Sequence, residues 1–204
     1  TFELVDPEGI NLPPFTGGAH ISVILPGGMM RQYSLCNDPA ETDRYLLAVY
    51  RDAAGRGGSI AFHDKGAVGD TLEISEPKNN FPLDQRAMHY TLIAGGIGVA
   101  PLLAMAHKLR SLSKEFDFHI CVRSVDQLPF KQELEELVEP SRLYFYITNG
   151  DPSRRLDVKT LLAEPISAGQ VYCCGPEGLI KAVSAATTSW PIRTVRFEHF
   201  KPEE

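Results

Sequence analysis

Residues Tyr90 to Pro101 read YTLIAGGIGVAP, and this stretch decides the fold. Its first part, Tyr90 to Ala94, is an apolar run with the length of a buried strand. Glycines follow at positions 95, 96 and 98, and apolar residues then recur with helical spacing from Pro101 to Leu112. A strand, a glycine turn and a helix in this order predict one unit of a parallel α/β sheet.

The remainder of the second half repeats this alternation. Further strands are predicted at 116–122, 143–147, 171–173 and 194–197, and further helices at 130–138 and 176–186. Pro176 is suited to the first turn of the last helix, where a backbone donor has no partner in any case. The alternation predicts a parallel sheet with right-handed crossovers, and the adjacent Cys173 and Cys174 should point to its opposite faces.

The first part of the chain has the pattern of antiparallel β structure. Strands are predicted at 20–25, 45–50 and 71–74, with turns rich in proline, glycine and asparagine between them. Short strands at this spacing predict a small antiparallel barrel. Asn79-Asn80-Phe81-Pro82 marks its end, so we predict a barrel domain over 1–83 and an α/β domain over 84–204. Phe2 to Val5 looks like the second half of a strand, and we expect a fragment whose first strand is truncated.

Composition narrows the class of protein. The net charge is -6 and no run of lysine and arginine is present, which argues against a nucleic-acid partner. The four cysteines form no C-x-x-C pair, which argues against a zinc or iron–sulfur site in this chain, and they fit a cytoplasmic protein. Glycines and Pro101 interrupt the longest uncharged run, 90–106, so we predict no membrane span.

Two glycine turns end predicted strands of the parallel sheet. The first, Gly95-Gly96-Ile97-Gly98, would let the backbone approach a pyrophosphate at a helix N-terminus, although a tight turn alone also uses glycine. Cys174-Gly175-Pro176 repeats this arrangement at another strand end. Parallel sheets bind ligands beyond the carboxyl ends of their strands, so both turns should face one nucleotide crevice. Cys174 would lie at its mouth; the alternative is a small packing thiol.

Two further motifs lie in the barrel part. Arg31-Gln32-Tyr33-Ser34 ends a predicted strand, where the arginine could bind a phosphate and the tyrosine could stack on an aromatic ring. Arg56-Gly57-Gly58-Ser59 precedes a predicted helix, Ser59 to His63, with Ser59 as N-cap and backbone N–H groups that form an anion site. Each motif has a plainer interpretation: a surface arginine beside a core tyrosine in the first, and a flexible turn in the second.

The order and spacing of these motifs are more specific than any one of them. The chain resembles the ferredoxin-NADP reductase superfamily, and within it the branch of phthalate dioxygenase reductase and vanillate O-demethylase reductase. The resemblance covers essentially the whole chain and rests on RQYSLCNDP at 31–39, GRGGS at 55–59, VYCCGP at 171–176 and FEHF at 197–200. It implies an antiparallel flavin-binding β barrel followed by an α/β nucleotide-binding domain with a parallel sheet.

The resemblance also implies roles for residues of the flavin site. Arg31 would contact the flavin phosphate, Tyr33 would pack on the isoalloxazine ring, and Ser34 would lie near its N5 atom. Arg56-Gly57-Gly58-Ser59 would complete the phosphate cradle, and the flavin would be FMN in preference to FAD. The other expected cofactor contacts in this half are Gln32, Ala48, Val49 and Tyr50.

A second set of implied roles concerns the nicotinamide nucleotide. Its pyrophosphate would be held by Gly95, Gly96 and Gly98. Cys174 would lie near the nicotinamide C4 atom, with Gly175 and Pro176 in the same turn.

The face of the flavin and the choice of nucleotide involve four more residues. Phe197 would cover the flavin face opposite Tyr33, and Phe200 is the second choice for this cover. Asp126 would favour the ribose of NADH, which the branch prefers, whereas Arg123 could bind the 2′-phosphate of NADPH. The expected catalytic residues are Ser34, Cys174 and Phe197.

The implied activity is that of an NADH-dependent flavoprotein reductase, the electron-transfer component of an oxygenase system. Hydride would pass from NADH to FMN, and single electrons would then go to a 2Fe-2S ferredoxin domain or protein. That acceptor would serve a terminal Rieske-type oxygenase or O-demethylase in aromatic compound catabolism. The ferredoxin spacing C-x4-C-x2-C is absent, so the 2Fe-2S cluster would belong to a missing domain or to a separate partner.

Three alternatives stay open. The chain could be a FAD- or NADPH-dependent ferredoxin or flavin reductase of the same superfamily, a non-catalytic nucleotide-sensing module, or a flavin-free dehydrogenase. The last would need a proton-transferring histidine or tyrosine in the crevice. The six histidines show no ligand or triad spacing, and we interpret them as structural or surface residues.

Overall fold

Antiparallel strands make up the sheets of the first half. The computed structural model describes residues 1–25, 27–55 and 57–200. Two small sheets are formed by strands β1 (Phe2–Val5) with β4 (Arg44–Leu47), and by β2 (His20–Ile24), β3 (Met30–Ser34) and β5 (Glu73–Ile74) in the order β3-β2-β5. An isolated bridge between Leu35 and Leu47 joins them. The predicted barrel-like antiparallel arrangement is confirmed, although β4 ends at Leu47 because its ladder with β1 ends there.

Helix α1 (Gly58–Lys65) begins one residue before the predicted start, with Gly57 as its N-cap. The prediction that Ser59 caps this helix was wrong. Ser59 lies inside the first turn, and its Oγ accepts a hydrogen bond from the backbone N–H of Asp52 over 3.0 Å. The left-handed conformation of Gly57, with φ of 79°, makes the turn into the helix without a side-chain cap.

A five-stranded parallel sheet forms the second half, in the order β10-β9-β6-β7-β8. Its strands are β6 (His89–Gly95), β7 (Glu115–Val122), β8 (Leu143–Ile147), β9 (Gly169–Cys174) and β10 (Val195–Glu198). Its helices are α2 (Val99–Ser111), α3 (Lys131–Leu137), α4 (Val158–Leu161) and α5 (Glu177–Ala186). The predicted parallel α/β sheet is confirmed. Pro176 is the N-cap of α5 rather than part of its first turn, because its ψ of 150° is extended.

Two separate cores cover the faces of this sheet. One contains Cys174 and residues of α2 and α3, and the other contains Cys173, Trp190 and residues of α4 and α5. The adjacent cysteines therefore point to opposite faces, as the sequence predicted. None of the helices in the described ranges is long and apolar enough to cross a membrane.

Close backbone contacts join the two halves. A Cβ atom on Gly17 would lie 3.0 Å from Met105 Cα of α2, so the barrel backbone rests directly on this helix. Tyr172 of β9 accepts a hydrogen bond from the backbone N–H of Asp84 over 2.7 Å and donates one to the carbonyl oxygen of Pro82 over 3.3 Å. These contacts hold the segment from Pro82 to Asp84, which connects the two halves, against the parallel sheet.

Candidate active site

The candidate site lies where the carboxyl ends of parallel strands meet the end of β3. Cys174 of β9 and Glu198 of β10 are paired in the register of the sheet. Ser34, the last residue of β3, donates a hydrogen bond from Oγ to Glu198 Oε2 over 3.4 Å. Cys174 Sγ donates to the same oxygen over 3.9 Å. The three side chains therefore form one polar cluster that connects the two halves of the chain.

Burial sets the protonation state of this cluster. It raises the pKa of Glu198 to about 7, while the hydrogen bonds from Ser34 and Cys174 act in the opposite direction. Burial, and then the neighbouring Glu198, raises the pKa of Cys174 well above its usual value. The cluster therefore contains a neutral thiol and a carboxyl group that can gain or lose a proton near neutral pH.

Glu198 is a site residue that sequence analysis missed. It stood in the quoted motif Phe197-Glu198-His199-Phe200, but only the aromatic residues were considered there. The available signal was a lone acid at the end of a predicted strand of a parallel sheet, where ligands bind. Its partner Ser34 lies 164 positions away, and a contact of that separation cannot be read from local pattern.

A cavity of about 240 Å³ opens beside the cluster. Its walls come from β2, β3, the segment after β5 and the C-terminal segment, and the lining residues are His20, Gln32, Ser34, Asn80, Phe81, Phe197, Glu198, His199 and Phe200. Aromatic and polar side chains from both halves of the chain thus line the same space. Such a lining fits a planar ring with polar atoms on its edge.

The N-terminus of α1 lies against Arg31. A Cβ atom on Gly58 would lie 2.5 Å from Arg31 Nε, so the guanidinium side chain covers the first helical residue. Gly57 has open space around it and makes no side-chain cap. Backbone N–H groups of a helix terminus beside a guanidinium group fit a phosphate. Arg56, predicted for the same cradle, lies outside the described residues.

Other residues predicted for the flavin site surround β3 and the end of β4. Tyr33 is half-buried, and its ring centroid lies 5.5 Å from that of Phe62 in α1. Beyond β4, Ala48 is half-buried and Val49 is buried, whereas Tyr50 is 60% exposed. The three follow the strand that pairs with β1, and they lie outside the cavity lining.

The two glycine turns of the parallel sheet pack on each other. A Cβ atom on Gly98 would overlap the backbone carbonyl of Cys174, and one on Gly95 would overlap the ring of Pro176. Close packing therefore accounts for both of these glycines. Gly96 differs, because its φ is 54° and a Cβ atom there would meet open space in front of α2. It is the position of this turn where a ligand could approach the backbone.

Known proteins are similar to this chain in sequence and in fold. Residues 92–185 match the family model described as an oxidoreductase NAD-binding domain. Phthalate dioxygenase reductase from Burkholderia cepacia is 44% identical over 201 residues, which are 98% of this chain and 62% of that protein. A solved phthalate dioxygenase reductase, described as a modular structure for electron transfer from pyridine nucleotides to 2Fe-2S, superimposes with a TM-score of 0.94 at 43% identity. It is matched over 100% of this chain and 64% of its own. The chain is therefore similar, over nearly its whole length, to reductases of the ferredoxin-NADP reductase superfamily.

Other members of the superfamily are also longer than this chain. The reductase subunit of tert-butanol monooxygenase / tert-amyl alcohol desaturase from Aquincola tertiaricarbonis is 42% identical, over 98% of this chain and 59% of that protein. Vanillate O-demethylase oxidoreductase from Pseudomonas putida is 41% identical, over 98% of this chain and 63% of that protein. The chain therefore spans about three fifths of the length of these relatives.

Phe197 and Phe200, the two residues predicted to cover the flavin, lie in different surroundings. Glu198 points toward Ser34, and in a strand the preceding side chain points to the opposite face. Phe197 accordingly packs against the core that contains Trp190, although part of it reaches the cavity. Phe200 lines the cavity and is 44% exposed. Phe200, the second candidate for covering the flavin face, is thus the more exposed of the two phenylalanines.

The residues predicted to distinguish the nucleotides lie beyond the end of β7. Arg123 and Asp126 are both exposed, and Asp126 belongs to a short 3-10 turn, Val125–Gln127. The carbonyl oxygen of Arg123 accepts a hydrogen bond from the backbone N–H of Asn149 over 2.7 Å, which holds this loop on the loop after β8. Both residues follow the carboxyl end of β7, the edge of a parallel sheet at which ligands bind.

Proposed function

We propose that this chain passes hydride from NADH to bound FMN and then single electrons to a 2Fe-2S acceptor. The cluster of Ser34, Cys174 and Glu198 carries the proposal, because it joins the end of β3 to the nucleotide edge of the parallel sheet. A flavin held by the first half and a nicotinamide held by the second would meet there. The similarity to phthalate dioxygenase reductase supports the same activity.

The residues of the first half fit a flavin in two respects. Arg31 and the N-terminus of α1 form a phosphate cradle, which Gly57, Gly58 and Ser59 would complete with backbone N–H groups. Ser34 lies three residues further along β3, roughly 10 Å away, which separates the phosphate from the ring. Tyr33, between them, would pack on the ring system, and Gln32 and Ser34 line the cavity that the ring would enter.

The second half would hold the nicotinamide nucleotide. Gly96 and the N-terminus of α2 would contact its pyrophosphate, and the turn at Cys174 would lie beside the reactive carbon. When bound, the flavin supplies the chemistry, because it accepts two electrons together and releases them singly. The chain contributes position, by holding the two rings at the distance that hydride transfer needs. Glu198, with a pKa of about 7, would hold a proton beside Ser34.

Phe200 rather than Phe197 would cover the open face of the ring. Phe197 packs against a core, whereas Phe200 is exposed at the cavity and could step aside when nicotinamide binds. Asp126 favours NADH over NADPH in this proposal, since an acid near the ribose repels a 2′-phosphate. The acceptor would be a ferredoxin domain or protein that serves a Rieske-type oxygenase acting on aromatic compounds, in the cytoplasm.

A visible spectrum tests the flavin and the nucleotide together. After titration with FMN and removal of unbound flavin, the protein should absorb near ~450 nm and lose this absorbance when NADH is added without oxygen. Mass analysis of the released flavin separates FMN from FAD, and the same titration with NADPH measures nucleotide preference. A protein that stays colourless after FMN and FAD titration would contradict the proposal and leave a nucleotide-sensing module or a flavin-free dehydrogenase.

The acceptor is tested separately by stopped-flow mixing of the reduced protein with a 2Fe-2S ferredoxin. Rapid oxidation of the flavin, with matching reduction of the ferredoxin, is the expected result. The variant Arg31→Ala should lose much of the flavin, because it removes a guanidinium group that would bind the phosphate. A reduced wild-type protein that transfers electrons to oxygen but to no ferredoxin would remove the acceptor from the proposal and leave the flavin reductase activity.

A further inference from the structure

His20 lines the same cavity and is not among the residues proposed to hold the flavin or the nucleotide. It is the first residue of β2 and lies directly opposite Ser34 in the register with β3. Directly opposed residues of antiparallel strands point to the same face of a sheet, so His20 and Ser34 share a face. The residue is 7% exposed and lines the cavity together with Phe81.

The Nε2 atom of His20 is buried and has no hydrogen-bond partner in the part of the chain that the structure describes. Buried polar atoms in proteins normally have a partner, and one without a partner lowers stability. The comparison is His119, another buried histidine, whose Nδ1 pairs with the hydroxyl of Tyr146 at 3.2 Å. Among the described residues, Gln170 Oε1 and Arg196 Nε are also buried without a partner, but of these three residues only His20 lines the cavity, which points to a partner from outside the chain.

Burial and a neighbouring cation favour the neutral form of the His20 imidazole. Burial, and then the cation of Lys78, lowers its pKa below the usual value. Lys78 pairs with His20 on the other side of β2, and Glu198 and His199 are the other titratable residues among those that line the cavity. A neutral imidazole offers Nε2 as a donor or as an acceptor, depending on its tautomer. A neutral imidazole can form a hydrogen bond with the polar edge of an uncharged ring. An anionic phosphate would instead bind the guanidinium group of Arg31.

We propose that His20 is a cofactor-positioning residue whose Nε2 forms a hydrogen bond with the polar edge of the bound flavin ring. The inference rests on the proposed function, because it requires that the cavity hold a flavin. Arg31 and Ser34 separate the phosphate end from the ring end along β3, and His20 lies at the ring end, opposite Ser34. The hydrogen bond would set how deeply the ring enters the cavity.

Two measurements on two matched variants test this role. His20→Phe keeps the ring volume and removes the unpaired nitrogen, and His119→Phe makes the same substitution at the paired histidine. The Kd for FMN is measured from the quenching of flavin fluorescence, and the stability of the flavin-free protein from its melting temperature. His20→Phe should weaken FMN binding about tenfold, the loss expected for one hydrogen bond, and leave the flavin-free melting temperature unchanged or higher. His119→Phe should lower that temperature and leave the Kd unchanged.

A third variant, His20→Gln, restores a polar group near the position of Nε2 and should recover part of the lost affinity. Unchanged FMN binding by His20→Phe would overturn the inference, since Nε2 would then be served by water alone. A fall in flavin-free melting temperature as large as that of His119→Phe would also overturn it, because it indicates a packing role. Failure of the wild-type protein to bind FMN or FAD would overturn the proposed function as well, whereas wild-type binding with unaffected variants removes only His20.

Discussion

Glu198 is a carboxyl group whose protonation the fold controls. Its pKa in the folded protein is about 7, above its ordinary value of 4.5, because burial disfavours the charged form. As pH rises, the unfolded chain therefore releases this proton first. The contribution of Glu198 to stability is complete below about pH 4.5 and is lost as pH rises through about 7.

The variant Glu198→Gln should remove this pH dependence. Glutamine keeps the size and hydrogen-bonding capacity of a protonated glutamate, so the free energy of unfolding should rise at pH 8 by about 2 kcal/mol and change little at pH 4. Urea denaturation of the flavin-free protein across this range measures the difference. Glu8→Gln, at an exposed position, is the control and should have no effect at either pH. An equal effect of Glu198→Gln at both pH values would contradict the assigned pKa.

The two phenylalanines of the C-terminal segment should separate stability from activity. Phe197→Ala should lower the free energy of unfolding by about 2 kcal/mol, because its ring packs in a core. Phe200→Ala should leave stability nearly unchanged and alter the rate of flavin reduction by NADH, because its ring would no longer cover the flavin. Denaturation and stopped-flow reduction of each variant measure the two effects. The opposite pattern would return the covering role to Phe197.

Some site residues could be predicted from the sequence, and others could not. Arg31, Ser34 and Cys174 could be selected because their motifs lie at the ends of predicted strands and together resemble, in order and spacing, those of a known family. Glu198 could not, since its importance comes from Ser34, to which no sequence pattern connects it. His20 was interpreted as structural because its type and spacing say nothing about an unpaired nitrogen in a cavity. Burial and pairing are properties of the folded chain.

In the two turns at the ends of β6 and β9, close backbone packing requires glycine. Gly98→Ala should lower the free energy of unfolding by about 2–3 kcal/mol, because a Cβ atom would overlap the backbone carbonyl of Cys174 and neither backbone can yield easily. Gly178→Ala in α5 is the matched control, since its Cβ atom meets open space and should stabilise the helix by about 0.5 kcal/mol. Thermal or urea denaturation compares the two. A tolerated alanine at 98 would show that the two turns can move apart.

Elements with a clear hydrophobic period were predicted well, and their ends less so. The strand at 143–147 was placed at its observed bounds, and α2 within two residues, because their apolar residues repeat with the period of the element. The start of α1 was misplaced, because Ser59 has the residue type of an N-cap while its hydroxyl is used by Asp52. Residue type alone does not identify a cap, because the serine hydroxyl can accept a hydrogen bond from the helix N-terminus or from another segment. In this chain the Ser59 hydroxyl accepts from Asp52.

At the scale of the whole molecule, the two halves share backbone contacts and should unfold together. Gly17 rests on α2, and Tyr172 of the parallel sheet pairs with the segment that leads from the barrel. Trp190, the single tryptophan, is buried in a core of the second half, so its fluorescence reports that half. Its transition in urea should coincide with that of far-UV circular dichroism, which reports both halves. Two separate midpoints would show that the halves are independent.

Tyr172→Phe should weaken this connection specifically. The hydroxyl serves as acceptor for the N–H of Asp84 and donor to Pro82, and its removal leaves a partly buried N–H without that partner. The free energy of unfolding should fall by about 1–2 kcal/mol. Tyr144→Phe is the control, since its hydroxyl donates to Ser141 at an exposed edge and should contribute little. If the variant also separates the two transitions, the connecting segment is what makes the halves cooperative; if the transitions stay together at a lower midpoint, the contact of Gly17 with α2 is sufficient.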